Sequence, residues 1–193
     1  MPYLYVGFHW VIYNSISILL DNFLKKHYNN HINLREREAM HYQWIDYTSD
    51  YAPLVDSWLD EEAIKQTLCD NGWEDYYQYW KNESQTREGV EFWAKVICFN
   101  SLPIGIVAIG FQENTYTICE FIIAPSYRRM GHGTQILKEL LSHSKQIIGF
   151  PIQLALAVIL ADNHSSQKAF EKAGFRFDMV HPDGDVWYYI YEA

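Results

Sequence analysis

The chain has 193 residues, enough for one domain with a sizeable core. Its 49% hydrophobic and 20% charged residues exclude a disordered chain. A net charge of −9 excludes a general nucleic-acid binder, which needs a basic face, and suits a cationic ligand.

The three cysteines, Cys69, Cys98 and Cys119, are scattered and lack the spacing of metal ligands. They read as reduced, buried thiols of a cytoplasmic protein, with no metal. Residues 1–39 form an N-terminal extension, expected to be helical, ahead of a domain at 40–193. Residues 1–20 carry no Asp, Glu, Lys or Arg, and Tyr3 to Leu20 is apolar apart from His9, Asn14, Ser15 and Ser17. That length can span a bilayer, but the segment lacks the basic start and small-residue cleavage site of a signal peptide. Three readings compete: a helix packed on the domain, a weak membrane anchor, and an extension of little functional use. The first and third are favoured.

From His41 to Tyr47 the alternation predicts a strand. Ser49 or Asp50 is placed to cap a helix running through Leu54, Val55, Trp58 and Leu59. Asp60 opens a second helix, with Glu61 and Glu62 in its first turn where the helix dipole favours acids. Trp73, Tyr76, Tyr77, Tyr79 and Trp80 then form an aromatic face beside Glu74 and Asp75. Three antiparallel strands follow, at Glu91–Phe99, Ile104–Phe111 and Thr115–Ala124, with Gly105 and Gly110 where side chains would crowd. A basic glycine loop leads into a helix from Gly133 to Ser144. The apolar run Ile152–Leu160 reads as a strand buried on both faces. Asp162-Asn163 caps a helix over Ser165–Lys172 closed by Gly174, and two strands, Phe175–His181 and Val186–Tyr191, end the chain.

Two motifs in this order carry a resemblance. The first is Arg128-Arg129-Met130-Gly131-His132-Gly133, after the strand and Ala124-Pro125-Ser126-Tyr127. The second, about thirty residues on, runs from Asn163 through Phe170 to Gly174-Phe175. Together the motifs resemble those of the GNAT superfamily of acetyl-CoA-dependent N-acetyltransferases, over roughly residues 41–191. The resemblance implies an α+β (α/β) fold: a mixed, mostly antiparallel twisted sheet of about seven strands flanked by helices. Strands 4 and 5 would be parallel and splayed at a coenzyme cleft, although no bulge that would splay them is visible in the sequence.

The resemblance places the coenzyme A pyrophosphate on the backbone amides from Arg129, Met130, Gly131, His132 and Gly133 to Thr134, with Arg128 and Arg129 adding charge. A glycine loop at a helix N-terminus suits an anion on physical grounds, because free N–H groups and the dipole point at it. The pantetheine arm would pair with the backbone of Ile122, Ile123 and Ala124, as a peptide adds a strand to an open edge. Asn163 would cap its helix and bond the pantetheine. Many members of the family place a tyrosine at the position of Phe170, as acid toward the departing thiolate. Here that phenol is missing, and Tyr127, Tyr189 or water would replace it.

Acetyl transfer needs a base for the amine, and Glu120 is the candidate. A glutamate between Cys119 and Phe121 in a strand core is costly unless it faces water, pairs with a cation or works. The run from Glu171 to Phe175, the Pro182-Asp183-Gly184 turn and Trp58-Leu59-Asp60-Glu61 are similar to those of aminoglycoside N-acetyltransferases. Trp73 and the acids Glu61, Glu62, Glu74 and Asp75 are candidate readers of a cationic acceptor. The function expected is acetyl transfer to a primary amine of a small cationic molecule, by direct attack in a ternary complex. Alternatives are a protein or peptide N-terminal acetyltransferase and a non-catalytic acetyl-CoA-binding module. A homodimer is compatible with the resemblance; nucleic-acid and membrane partners are not expected.

Overall fold

Two tight turns set the register of the middle of the sheet. In the computed structural model, which describes residues 41–193, Asn100 and Ser101 take φ of 50° and 64°, as do Glu113 and Asn114. Paired positive φ makes a two-residue turn whose twist matches that of its strands. These turns join β2 (Glu91–Phe99), β3 (Leu102–Gln112) and β4 (Thr115–Ile123) into an antiparallel meander. The short strand β1 (Gln43–Asp46) pairs with β2. On the other side β4 runs parallel to β5 (Leu154–Leu160). The strands β6 (Arg176–Val180) and β7 (Val186–Glu192) complete the sheet in the order β1-β2-β3-β4-β5-β7-β6. The seven-stranded mixed sheet expected from the motifs is therefore present.

Gly105 and Gly110 sit where the strands approach most closely. A Cβ on Gly105 would lie 2.8 Å from the Ile122 carbonyl oxygen, and one on Gly110 3.1 Å from Cys119 Sγ. Helices cover both faces. The first three, α1 (Ala52–Asp56), α2 (Glu61–Gln66) and α3 (Trp73–Thr86), connect β1 to β2, α4 (His132–Ile148) follows β4, and α5 (His164–Ala173) follows β5. One core layer joins Ile104, Val107, Ile109 and Ile118 to Ile136, Leu140 and Phe170. The other joins Val96, Ile106, Ala108 and Ile122 to Val55, Trp58, Trp73 and Tyr76. Burial of this apolar surface on both sides is the main stabilising term.

Boundaries differ from the sequence reading in two helices. Neither Ser49 nor Asp50 caps α1; both lie in a 3₁₀ turn, and the Ser49 hydroxyl donates to Glu74 at 2.8 Å. That helix stops at Asp56, and Trp58 beyond it enters the core at 5% exposure. The helix after the glycine loop runs to Ile148, beyond Ser144, with non-helical dihedrals at His143. There the Ser144 hydroxyl accepts the Ile152 N–H at 2.8 Å, and Ile147 and Ile148 join the core. The expected caps at Asp60 and Asn163 are in place, accepting from Ala63 N–H at 2.8 Å and Ser166 N–H at 3.0 Å.

One buried carboxylate fastens the start of β1 to α4. Glu139, 6% exposed, accepts from the His41 N–H at 2.6 Å, the Tyr42 N–H at 3.1 Å and the Trp44 indole at 2.8 Å. The expectations about residues 1–39 lie outside the described residues. Among the described residues no helix is long and apolar enough to cross a membrane, and no cluster of side chains could hold a metal ion.

Candidate active site

A single extra residue in β4 creates the site. Opposite β3, Ala108 pairs with Glu120 but the next residue, Ile109, pairs with Ile118, so Cys119 is a bulge. Side chains alternate along a strand, and one inserted residue reverses which face the following ones meet. Tyr116 and Ile118 accordingly pack with α4 and α5, whereas Ile122 and Ala124 pack with α1 and α3. Glu120, just past the bulge, is turned onto this second face. There it is 7% exposed and accepts the Leu68 N–H, from the loop between α2 and α3, at 2.6 Å. Burial pushes its carboxyl up from the ordinary 4.5 to about 8, against the opposing effect of that bond. Neighbouring thiols feel the same environment: burial pushes Cys119 up to about 12 and also raises Cys69.

The two parallel strands part at the same level. β4 pairs with β5 only from Tyr116 to Ile118, against Ala155 to Ala157. The Ala124 N–H bonds the Ile104 carbonyl at 2.9 Å, and the Ile122 oxygen also faces β3. By alternation, the backbone groups of Phe121 and Ile123 face the gap. Of the residues expected to pair with a pantetheine arm, only Ile123 therefore turns its backbone to the gap, and there its N–H alone is left, because its carbonyl accepts from Arg128 at 2.9 Å. Phe121, which sequence reasoning does not single out, has the same orientation.

Helix α2 spans the gap at the C-terminal ends of both strands, its six residues reaching about 9 Å. Asp60 at its start accepts from Arg128 at 2.6 Å, and Gln66 at its end bonds Asp162 at 3.3 Å. Arg128 also donates to the carbonyls of Trp58 at 2.8 Å and Ile123 at 2.9 Å. Its guanidinium, expected at the phosphates, is thus held between the loop leading into α2 and the end of β4.

The glycine loop has the geometry of an anion cradle. Arg129 and Gly131 take φ of 62° and 89°, and α4 begins at His132 with no side-chain cap. Arg129 and Met130 are exposed, whereas His132, Gly133 and Thr134 are half-buried. A Cβ on Gly131 would meet nothing within 4 Å, and one on Gly133 only Phe121 Cε1 at 3.6 Å. Packing does not demand glycine at 133; the space in front of it is open. Asn163 caps α5 through Oδ1, which also accepts the Ser165 hydroxyl at 3.1 Å, leaving its amide N–H₂ toward other partners.

Other candidates are placed away from chemistry. Phe170 is 3% exposed, edge-on to Phe121 and Phe175, and belongs to the core. Tyr189 is 1% exposed and its hydroxyl donates to Glu171 at 3.5 Å, while Tyr127 follows β4 at the loop. Trp73 is fully buried against Tyr47 and Tyr76. Glu74 is occupied by Tyr47, Gln78 and Ser49 at 2.6, 2.7 and 2.8 Å. Burial opposes its charge, but these donors outweigh it and hold the carboxyl below its ordinary value. Both residues support α3 and the wall rather than presenting groups to an acceptor. Glu61 and Asp75 are exposed in the first turns of α2 and α3; the Glu62 side chain lies outside the described residues.

A mixed sheet whose parallel pair splays beside a bulge, above an open glycine loop, defines the class of protein. The chain belongs to the acetyltransferase (GNAT) family, whose model matches residues 35–175. It is 36% identical over 85 residues to the uncharacterized N-acetyltransferase YfmK of Bacillus subtilis. That match spans 44% of this chain and about half, 54%, of the relative. Its fold is similar to AAC(6')-Ib in complex with paromomycin and acetyl-CoA (TM-score 0.60, 18% identity, 79% of this chain and 94% of that one). It is also similar to the F149G mutant of the spermidine N-acetyltransferase SpeG of Vibrio cholerae (TM-score 0.59, 14% identity, 79% and 94%).

Proposed function

We propose that the protein is an acetyl-CoA-dependent N-acetyltransferase whose acceptor is a primary amine of a small cationic molecule. The observation that carries this reading is Glu120, a buried carboxyl with a raised proton affinity at the point where β4 leaves β5. The glycine loop would hold the pyrophosphate on the amides from Arg129 to Thr134, with the arm along Phe121 and Ile123. The coenzyme would supply the activated acetyl group. The carboxylate of Glu120 would take the proton that an ammonium must lose before its nitrogen can attack. As the new C–N bond forms, the C–S bond breaks, and the departing thiolate takes a proton from the amine nitrogen or from water. A buried carboxylate also attracts a cation electrostatically, which agrees with the net charge of −9. Similar folds named for aminoglycoside and spermidine acetyltransferases support a polyamine or amino-sugar acceptor.

The test is thiol release from acetyl-CoA with aminoglycosides, polyamines and short peptides. Release with the first two classes is expected; release with peptides alone would move the acceptor to a protein N-terminus. Phe170, with its phenyl ring in the core, favours a second reading, a module that binds acetyl-CoA without transferring it. Coenzyme binding with no release in any arm would establish that reading.

Gly133→Ala separates folding from coenzyme recognition. Alanine in a helical first turn is expected to leave stability unchanged or to raise it by up to about 1 kcal/mol. It should raise the acetyl-CoA KM severalfold, because the methyl group stands where the phosphate must approach. Melting temperature and steady-state kinetics check both halves.

A further inference from the structure

The glycine loop is tied through a hydroxyl to Tyr42, the residue just before β1. His132 is the first residue of α4, inside the loop. Its Nδ1 lies 2.9 Å from the hydroxyl of Tyr42, and its ring packs against Phe99 at 4.9 Å and Tyr127 at 5.7 Å. Tyr42 is 6% exposed and is gripped twice by the same helix. Its hydroxyl meets His132 and its backbone N–H bonds Glu139, seven residues further on. Residues seven apart share a helix face two turns apart, about 10 Å along the axis. Tyr42 therefore braces the first two turns of α4 against the sheet. The helix has no side-chain cap of its own at Gly131.

We propose that Tyr42 is a positioning residue for coenzyme binding: its hydroxyl fixes the His132 imidazole and, through it, the loop amides that receive the pyrophosphate. The inference rests on the phosphate-loop reading above. Burial, with a contribution from Glu139, raises the affinity of the phenol for its proton, so the hydroxyl stays neutral and is able to donate. A hydroxyl donating to Nδ1 leaves the imidazole proton on Nε2. In that tautomer His132 offers a second N–H donor at the start of a helix whose dipole favours anions.

The experiment compares wild type with Tyr42→Phe, which keeps the ring and removes only the hydroxyl. Two acetyl donors are used: acetyl-CoA, and S-acetylpantetheine, which lacks the pyrophosphate and nucleotide. Loss of one hydrogen bond is expected to raise the acetyl-CoA KM about fivefold. The value of kcat and the KM for S-acetylpantetheine should stay within about twofold of wild type, a split that loss of packing would not produce. His132→Phe, which keeps a ring among Phe99 and Tyr127, should raise the acetyl-CoA KM at least as much. It also serves if Tyr42→Phe does not fold. Coenzyme A titration calorimetry on the wild type separates the two levels. No binding by the wild type overturns the phosphate-loop reading. Wild-type binding with an unchanged acetyl-CoA KM in both variants, or equal losses with both donors, overturns the role of Tyr42 alone.

Discussion

Glu120→Gln is expected to lower turnover by about 10²–10⁴-fold, the usual contribution of a positioned general base, while coenzyme A binds as before. Glutamine is nearly isosteric and its carbonyl can still accept the Leu68 N–H, so the loop between α2 and α3 keeps its anchor. In the wild type, turnover should rise with pH as the carboxyl ionises, with a midpoint near the value of about 8 set by burial. The same group makes stability pH-dependent. Its affinity for the proton is higher in the folded state than in the unfolded one. The stability it contributes is therefore full below the ordinary 4.5 and is lost as pH rises through about 8. The glutamine variant carries no charge to bury, so its melting temperature should gain on the wild type across that window. Unchanged turnover, or loss of coenzyme binding alone, would sink the assignment.

The second large effect is on the fold. Glu139→Leu removes the acceptor for the His41 and Tyr42 N–H groups and the Trp44 indole together. Orphaned buried donors cost about 1–3 kcal/mol each, and the exposed position of His41 lets water reach one of them. The expected loss is about 3 kcal/mol, or about 6–12 °C in melting temperature for a domain of this size. Glu139→Gln, which keeps one acceptor oxygen, should lose less than half of that. Urea titration of the three proteins checks the order; a leucine variant as stable as wild type would show that the clasp contributes nothing.

The glycine loop, the two helix caps and the antiparallel meander were legible in the sequence because each is local. Asn163 needs only the Ser166 N–H three residues on, and the turns at Asn100-Ser101 and Glu113-Asn114 need only residues that tolerate positive φ. The acids were harder to read. Glu74 and Glu120 both look like isolated carboxylates among aromatic or apolar neighbours. One is satisfied by Tyr47, Ser49 and Gln78, and the other, among the described residues, accepts from the Leu68 backbone N–H. Their partners are remote in sequence, so composition cannot tell them apart. Trp73 is buried, and the sequence does not show it: an amphipathic pattern shows that a face exists but not whether it meets a ligand or the sheet.

By itself the sequence determined the order of elements, the glycine turn at the start of α4 and the family to which these belong. Periodicity, capping residues and glycine spacing act over a few residues, and they are written in the chain directly. The tertiary structure decided which face Glu120 meets, which backbone groups of β4 are open and where Arg128 spends its charge. All three depend on one bulged residue, Cys119, and on the parting of β4 from β5. A bulge is defined by pairing with another strand, so it has no signature in the strand that carries it.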